Sequence, residues 1–103
     1  MKYLVSWTYR FNGSATENEE SARRGLAVFS KWQPPATATY HQFLGRLDGG
    51  GGFAVVETDN PADLADAASK FGFIAEYTIH PVAEIGEAVQ SLQEGVEFRD
   101  AIT

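Results

Sequence analysis

The sequence contains no cysteine and no apolar run long enough to cross a membrane. The first absence excludes disulfide-stapled folds and metal sites built from thiolates. The second predicts a protein with no membrane partner. The stretch MKYLVSW is too short and too polar to predict a signal peptide. We therefore expect a cytoplasmic protein, and the length of 103 residues predicts one domain over positions 1–103.

Basic residues are also scarce. Eight Lys and Arg residues stand against 14 Asp and Glu, which gives a formal net charge of -6. An acidic surface repels the phosphates of nucleic acids, so we expect no nucleic-acid partner. The two histidines, His41 and His80, have no defined carboxylate partner in the sequence. The sequence therefore predicts neither a metal site nor a bound cofactor.

Strand and helix patterns alternate along the chain. Segments rich in β-branched and aromatic residues predict four strands, at Lys2–Tyr9, Thr37–Asp48, Phe53–Thr58 and Ile74–Val82. Apolar residues at three- and four-residue steps predict three helices. The first helix follows a capping box at Thr16–Glu19 and ends before Pro34, the second follows Asn60 as N-cap and ends at Gly72, and the third covers about Ala83–Arg99.

The order β-α-β-β-α-β-α predicts a ferredoxin-like α+β fold, βαββαβ, with an extra C-terminal helix. Right-handed crossovers place the first and third strands in the middle of a four-stranded antiparallel sheet, with both main helices on one face. Strict alternation along the second strand puts His41 and Phe43 on one side and Tyr40 and Leu44 on the other. Both sides therefore carry apolar groups. We expect the uncovered face to bind a second copy as a homodimer, which the final helix or the second strand helps to wrap.

The run Gly49–Gly52 lies between two predicted strands. A phosphate-binding loop needs backbone amides at a helix N-terminus or nest, and neither a helix nor a lysine signature follows this run. Asp48 before the glycines completes an Asp-Gly hairpin dipeptide. The segment is therefore predicted to be a hairpin tip.

The length of this tip decides the register of the two strands beside it. In the register that we favour, Asp48 pairs with Phe53. Arg46 and Glu57 are then diagonal neighbours able to form an ion pair, and His41 lies on the opposite face. A slip of one residue instead moves His41 onto the face of Glu57.

Four segments together resemble a known family of short bacterial proteins: KYLVSWTYR, FSKWQPPA, HQFLGRLDGGGGFAVVETDNPADL and VEFRDAI. That family is a domain of unknown function within the dimeric α+β barrel superfamily. The resemblance implies the fold and a homodimer. Other branches of the superfamily include cofactor-free monooxygenases and isomerases, but their catalytic motifs do not map onto this chain, so no catalytic residue follows from the likeness.

Aromatic residues make up 13% of the chain, which is generous for a small domain and favours an aromatic-lined pocket. The residues that we expect to form it are Trp7, Trp32, Phe43 and Tyr77, with His41 and Arg46 as polar anchors. Such a pocket suits an apolar or amphipathic small molecule, including a carboxylic acid held by Arg46 or His41.

Two alternatives stay open. In the first, the protein is a cofactor-free enzyme of the isomerase or monooxygenase type, and His41 is the acid/base group because its side chain titrates near neutral pH. In the second, it is a structural or regulatory dimer without a ligand. The identity of a substrate does not follow from the sequence under either alternative.

Overall fold

The computed structural model describes residues 1–102, which form one antiparallel sheet and three helices. The strands are Lys2–Tyr9 (β1), Thr39–Gly45 (β2), Gly51–Glu57 (β3) and Ala75–Val82 (β4), and the helices are Ala15–Lys31 (α1), Ala62–Phe71 (α2) and Ile85–Ile102 (α3). The strand order is β2-β3-β1-β4, and every neighbouring pair is antiparallel. The predicted ferredoxin-like fold with an extra C-terminal helix is thereby confirmed.

Helix α1 begins two residues earlier than the sequence predicts. The Ser14 hydroxyl accepts a hydrogen bond from the Glu17 amide at 3.2 Å, and the Glu17 carboxylate accepts one from the Ser14 amide at 3.4 Å. The predicted capping box at Thr16–Glu19 is therefore wrong. Both segments fit the same Ser/Thr-x-x-Glu pattern. The earlier one gains a further contact, because the Gly13 amide donates to the Asn18 side chain at 3.0 Å.

The start of α2 is tied to the sheet by a buried carboxylate. Asp63, in the first turn of α2, is 6% exposed. It accepts hydrogen bonds from the Thr58 hydroxyl at 2.6 Å and the Thr37 hydroxyl at 2.7 Å. These bonds meet the requirement that a buried carboxylate be partnered, and they hold α2 against the end of β3 and the segment that leads into β2.

At the hairpin, strand β2 ends and strand β3 begins earlier in the chain than the sequence predicts. Strand β2 ends at Gly45, and β3 begins at Gly51, so the last two glycines of the run belong to the strand. Gly45 pairs with Gly52, and the register with Asp48 opposite Phe53 is wrong. Gly49, with φ 75°, forms the turn, as only glycine does readily.

The two strand glycines are required by a neighbour from β1. A Cβ atom added to Gly52 would lie 2.3 Å from Cζ2 of the Trp7 indole, and one added to Gly51 would lie 1.9 Å from the Trp7 carbonyl oxygen. Contacts this close are not allowed for carbon atoms. The register is thus decided by packing of β1 on β3 as well as by the turn.

A β-bulge interrupts β2 at His41. Tyr40 pairs with Val56, and Gln42 pairs with Val55, which leaves His41 as the extra residue. A bulge of this kind reverses the alternation of side chains after it. Tyr40 and Phe43 therefore lie on the same face, with ring centroids 5.4 Å apart. The prediction that His41 and Phe43 share a face is wrong.

Helix α3 lies apart from the rest of the chain. The described residues extend over 64 × 31 × 21 Å with a radius of gyration of 18.3 Å, whereas about 13 Å is typical of a compact chain of this length. No residue of α3 is buried, although its apolar stripe includes Leu92 and Val96. None of the helices in residues 1–102 is long and apolar enough to cross a membrane.

Candidate functional site

A cleft of about 610 Å³ lies between the inner face of the sheet and helices α1 and α2. We call it the aromatic cleft, after six of its lining residues: Trp7, Phe29, Trp32, Tyr40, Phe43 and Tyr77. The other lining residues are aliphatic, aromatic or glycine. Among the residues that the structure describes, none with a charged side chain lines it.

The sheet contributes three of these rings. Trp7 on β1 pairs directly with Tyr77 on β4, and their rings stack at a centroid distance of 6.1 Å. Phe43, turned inward by the bulge, meets the Trp7 ring edge-on at 5.6 Å. Pairs of this geometry add to the stability that burial alone provides. The floor of the cleft is therefore a continuous aromatic surface.

Trp32 joins the two helices above the sheet. It follows the last residue of α1, and its indole N–H donates to the Asp66 carboxylate on α2 at 2.8 Å. The same carboxylate accepts from Lys70 at 2.6 Å. The Lys70 ammonium, with the Trp32 N–H second, lowers the pKa of Asp66 below its ordinary value. The Trp32 ring is thus held in position by a charge-assisted hydrogen bond.

The polar side-chain groups of the cleft lining are the phenol hydroxyls of Tyr9, Tyr40 and Tyr77 and the indole N–H groups of Trp7 and Trp32. Tyr9 is exposed, whereas Tyr40 and Tyr77 are half-buried. No described residue forms a hydrogen bond with the hydroxyl of Tyr40 or Tyr77. Burial, followed by the nearby phenols of Tyr40 and Tyr9, raises the pKa of Tyr77 to about 12. Burial also raises the pKa of Tyr40, with smaller contributions from Asp66 and Asp63. Both phenols stay protonated at neutral pH and can donate.

The cleft is open to solvent along one side. Phe29 and Leu26 on α1 are 53% and 70% exposed, although both line it. Gly45 also lines the wall, and a Cβ atom added there would meet no atom within 4 Å. A small molecule therefore has a route into the cleft and apolar surface to cover.

The structure brings together four of the six residues expected at the site. Trp7, Trp32, Phe43 and Tyr77 all line the cleft. His41 and Arg46 lie outside it. The remaining lining residues were not expected at the site from the sequence. Of these, Tyr40 is brought in by the bulge, and Gly45 by its register with Gly52.

His41 and Arg46 have partners elsewhere. His41 Nε2 lies 2.6 Å from a carboxylate oxygen of Glu57, on the side of the sheet opposite α1 and α2. His41 is the main cause that lowers the pKa of Glu57. Arg46 donates to Asp48 within the hairpin turn. No group of residues able to hold a metal ion occurs within 1–102.

Comparison with known proteins assigns the family. Residues 1–96 match the family described as a domain of unknown function, DUF3303, and the chain belongs to this family. No curated protein matches the sequence significantly. Among solved structures, the chain is similar to SnoaB, a cofactor-independent oxygenase from Streptomyces nogalater, at 13% identity over 81% of this chain and 92% of that chain, with a TM-score of 0.33. A likeness this distant implies no activity for this chain.

Proposed function

We propose that this DUF3303 protein binds a small, uncharged, apolar or amphipathic molecule in the aromatic cleft. The observation that supports this most directly is a cleft of about 610 Å³ whose described lining carries no charge. Small-molecule sites are typically clefts of about 300–1,000 Å³ with mostly apolar walls and a few polar groups. The cleft has that size and composition, and the phenols of Tyr40 and Tyr77 are among its few polar groups.

Apolar surface at the mouth of the cleft gives a ligand something to bury. Phe29 is 53% exposed and Phe43 is 46% exposed. Covering apolar surface of this kind contributes roughly 25 cal/mol per Å². A ligand that lies against both rings therefore gains binding free energy without any new charge interaction.

An anionic ligand fits the cleft poorly. A carboxylate placed among apolar walls loses its hydration and needs a cation or several donors in return. Arg46 and His41, which the sequence suggested as anchors for such a group, lie outside the cleft with Asp48 and Glu57 as partners. We therefore favour a neutral ligand over a carboxylic acid.

The position of His41 also bears on the enzyme alternative. A general base must lie within hydrogen-bonding reach of the proton that it removes. The sheet separates His41 from the aromatic cleft, so this hypothesis gains no support from the geometry. Binding without chemistry is the function that the described residues support best.

Displacement of a neutral fluorescent probe, 1-N-phenylnaphthylamine, tests the binding proposal. Gly45→Leu extends a side chain into the open wall of the cleft, and we expect it to weaken probe binding by about 5- to 150-fold, the effect of a steric overlap of about 1–3 kcal/mol. Gly86→Leu is the matched control, because a Cβ atom at Gly86 also meets nothing within 4 Å. Equal probe binding by both variants would contradict the proposal.

We also propose that the protein is a homodimer formed through the open face of the sheet, the face that carries His41, Leu44, Phe53 and Glu57. Leu44 and Phe53 pair across β2 and β3 and are 52% and 41% exposed. Helix α3 supports the same conclusion, because most of the stability of a helix in a protein comes from packing of its apolar face, and no residue of α3 is buried. A second copy supplies an identical uncovered surface for both.

Light scattering tests the dimer. We expect a mass twice the 11.2 kDa of one chain at micromolar concentration. The double variant Leu44→Lys, Phe53→Lys places like charges across the interface and should give the mass of one chain. A monomeric wild-type protein, or a double variant that stays dimeric, would rule out an interface through this face.

A further inference from the structure

The polar groups around the aromatic cleft differ in whether they have partners. The Trp32 N–H donates to Asp66 at 2.8 Å, and the Thr37 and Thr58 hydroxyls donate to Asp63. In contrast, the Tyr40 and Tyr77 hydroxyls have no hydrogen-bond partner among the described residues. No buried side-chain oxygen or nitrogen of the described residues lacks a hydrogen-bond partner, so solvent reaches both phenol hydroxyls. A ligand that displaces this solvent has to replace its hydrogen bonds.

The two phenols reach the cleft from opposite edges of the sheet. Tyr40 lies on β2 and Tyr77 on β4, which are the first and last strands of the order β2-β3-β1-β4. Both residues line the cleft, and both are half-buried rather than exposed. A molecule that fills the cleft therefore contacts tyrosines from both edge strands and the Trp7 ring from a central strand.

Elementary chemistry limits what those hydroxyls can bind. Each is a neutral donor and acceptor that solvent reaches in the free protein, and a ligand that displaces the solvent without replacing the hydrogen bond leaves a costly unmade bond in apolar surroundings. An oxygen of the ligand that accepts from a phenol removes that cost, and a hydrocarbon of the same shape does not. A carboxylate also accepts, but no cation among the described residues lines the cleft to offset its charge.

We infer that the molecule held in the aromatic cleft is uncharged and carries a carbonyl or similar neutral oxygen, for which Tyr40 and Tyr77 are the hydrogen-bond donors. This inference rests on the proposed binding function. It adds the chemical class of the ligand and names two specificity-determining residues that the sequence pattern did not bring together.

Three probes with the same ring system separate a hydrocarbon, a neutral carbonyl compound and a carboxylate as the preferred ligand. They are naphthalene, 2-acetylnaphthalene and 2-naphthoate, and the binding of each is measured by equilibrium dialysis. We expect the ketone to bind about fivefold tighter than the hydrocarbon for each hydrogen bond that it forms. We expect 2-naphthoate to bind more weakly than either. The comparison uses the wild-type protein alone and does not depend on whether any variant folds.

Variants then assign the effect to the phenols. Tyr40→Phe and Tyr77→Phe, singly and together, should bind naphthalene as the wild type does and lose the preference for the ketone. Tyr3→Phe is the matched control, because the Tyr3 hydroxyl contacts the Met1 sulfur at 3.5 Å and does not line the cleft. It should keep the preference for the ketone. Circular dichroism checks that each variant is folded.

The outcomes distinguish this inference from the proposal on which it rests. If naphthalene and the ketone bind equally well, and the tyrosine variants change nothing, the cleft binds apolar molecules but the inference is overturned. Tightest binding of 2-naphthoate would also overturn it. If none of the three probes binds, the proposed function fails and the inference fails with it.

Discussion

The two faces of the sheet are built from alternate residues of the same strands and differ in chemistry. The inner face supplies the floor of the aromatic cleft, and no charged side chain of the described residues lines that cleft. The open face carries the pairs His41–Glu57 and Lys2–Glu84, each at 2.6 Å, beside the exposed Leu44. Tyr40 and His41 are neighbours in sequence yet belong to different faces. Residue type alone therefore does not identify the binding face.

The largest difference between the faces should appear when an aromatic ring is removed from each. Trp32→Ala deletes a ring that contacts four others and breaks the bond to Asp66, so we expect the free energy of unfolding to fall by about 3 kcal/mol. Phe53→Ala removes a ring from the open face and should cost less than about 1 kcal/mol in dilute, monomeric protein. Urea unfolding measures both. Similar losses would show that the two faces do not differ in packing.

A pair of glycines provides the next test. Gly45 and Gly52 face each other in register, but a Cβ atom at Gly52 meets the Trp7 ring at 2.3 Å and one at Gly45 meets nothing within 4 Å. We expect Gly52→Ala to lower stability by about 1–3 kcal/mol through overpacking. Gly45→Ala should change it by no more than about 0.5 kcal/mol. Thermal unfolding compares them, and equal shifts would mean that Trp7 does not lie over Gly52.

The smallest effects concern acid pH, because carboxylates on both sides of the sheet have a lowered pKa, among them Glu57 on the open face and Asp66 on α2. His41 lowers the pKa of Glu57 below 4.5, and Lys70 lowers that of Asp66 below 3.8. Because both folded-state values lie below the unfolded ones, each carboxylate stabilises the fold above its ordinary pKa. That contribution is lost as the pH falls through the folded-state value.

Carboxyl titration by NMR checks the independence of these two sites. His41→Ala should raise the pKa of Glu57 and leave that of Asp66 unchanged. Lys70→Met should raise the pKa of Asp66 and leave that of Glu57 unchanged. The sheet lies between the two pairs, so we expect no cross-effect. A pKa change at both carboxyls in one variant would show that the faces are electrostatically coupled.

The elements of the fold could be predicted because their signals are local. The alternation in β1 and the apolar steps in α2 each lie within one segment. Errors arose where two local signals overlapped. Ser14 and Thr16 both begin a Ser/Thr-x-x-Glu pattern, and the additional bond from Gly13 to Asn18 accompanies the earlier one. Predicting which cap forms would have required knowing that bond.

The candidate site could be predicted in part. Trp7, Trp32, Phe43 and Tyr77 were expected because bulky aromatic residues favour buried or half-buried positions. The expected placement of His41 depended on a register that no local pattern specifies. The bulge that turns Phe43 inward and leaves His41 outside has no distinct sequence signal. Tyr40 and Phe43 are three residues apart, so a regular strand would place them on opposite faces, and only a bulge lets them share one.

The sequence by itself determined the order of strands and helices, the acidic charge and the supply of aromatic rings, because these depend on residue type and short spacing. Tertiary structure alone decided which rings meet and which face His41 occupies. The physical reason is that strand register is set by distant partners. The Trp7 ring on β1 requires glycine at position 52, which lies 45 residues further along the chain. This contact accompanies a strand β3 that begins inside the glycine run.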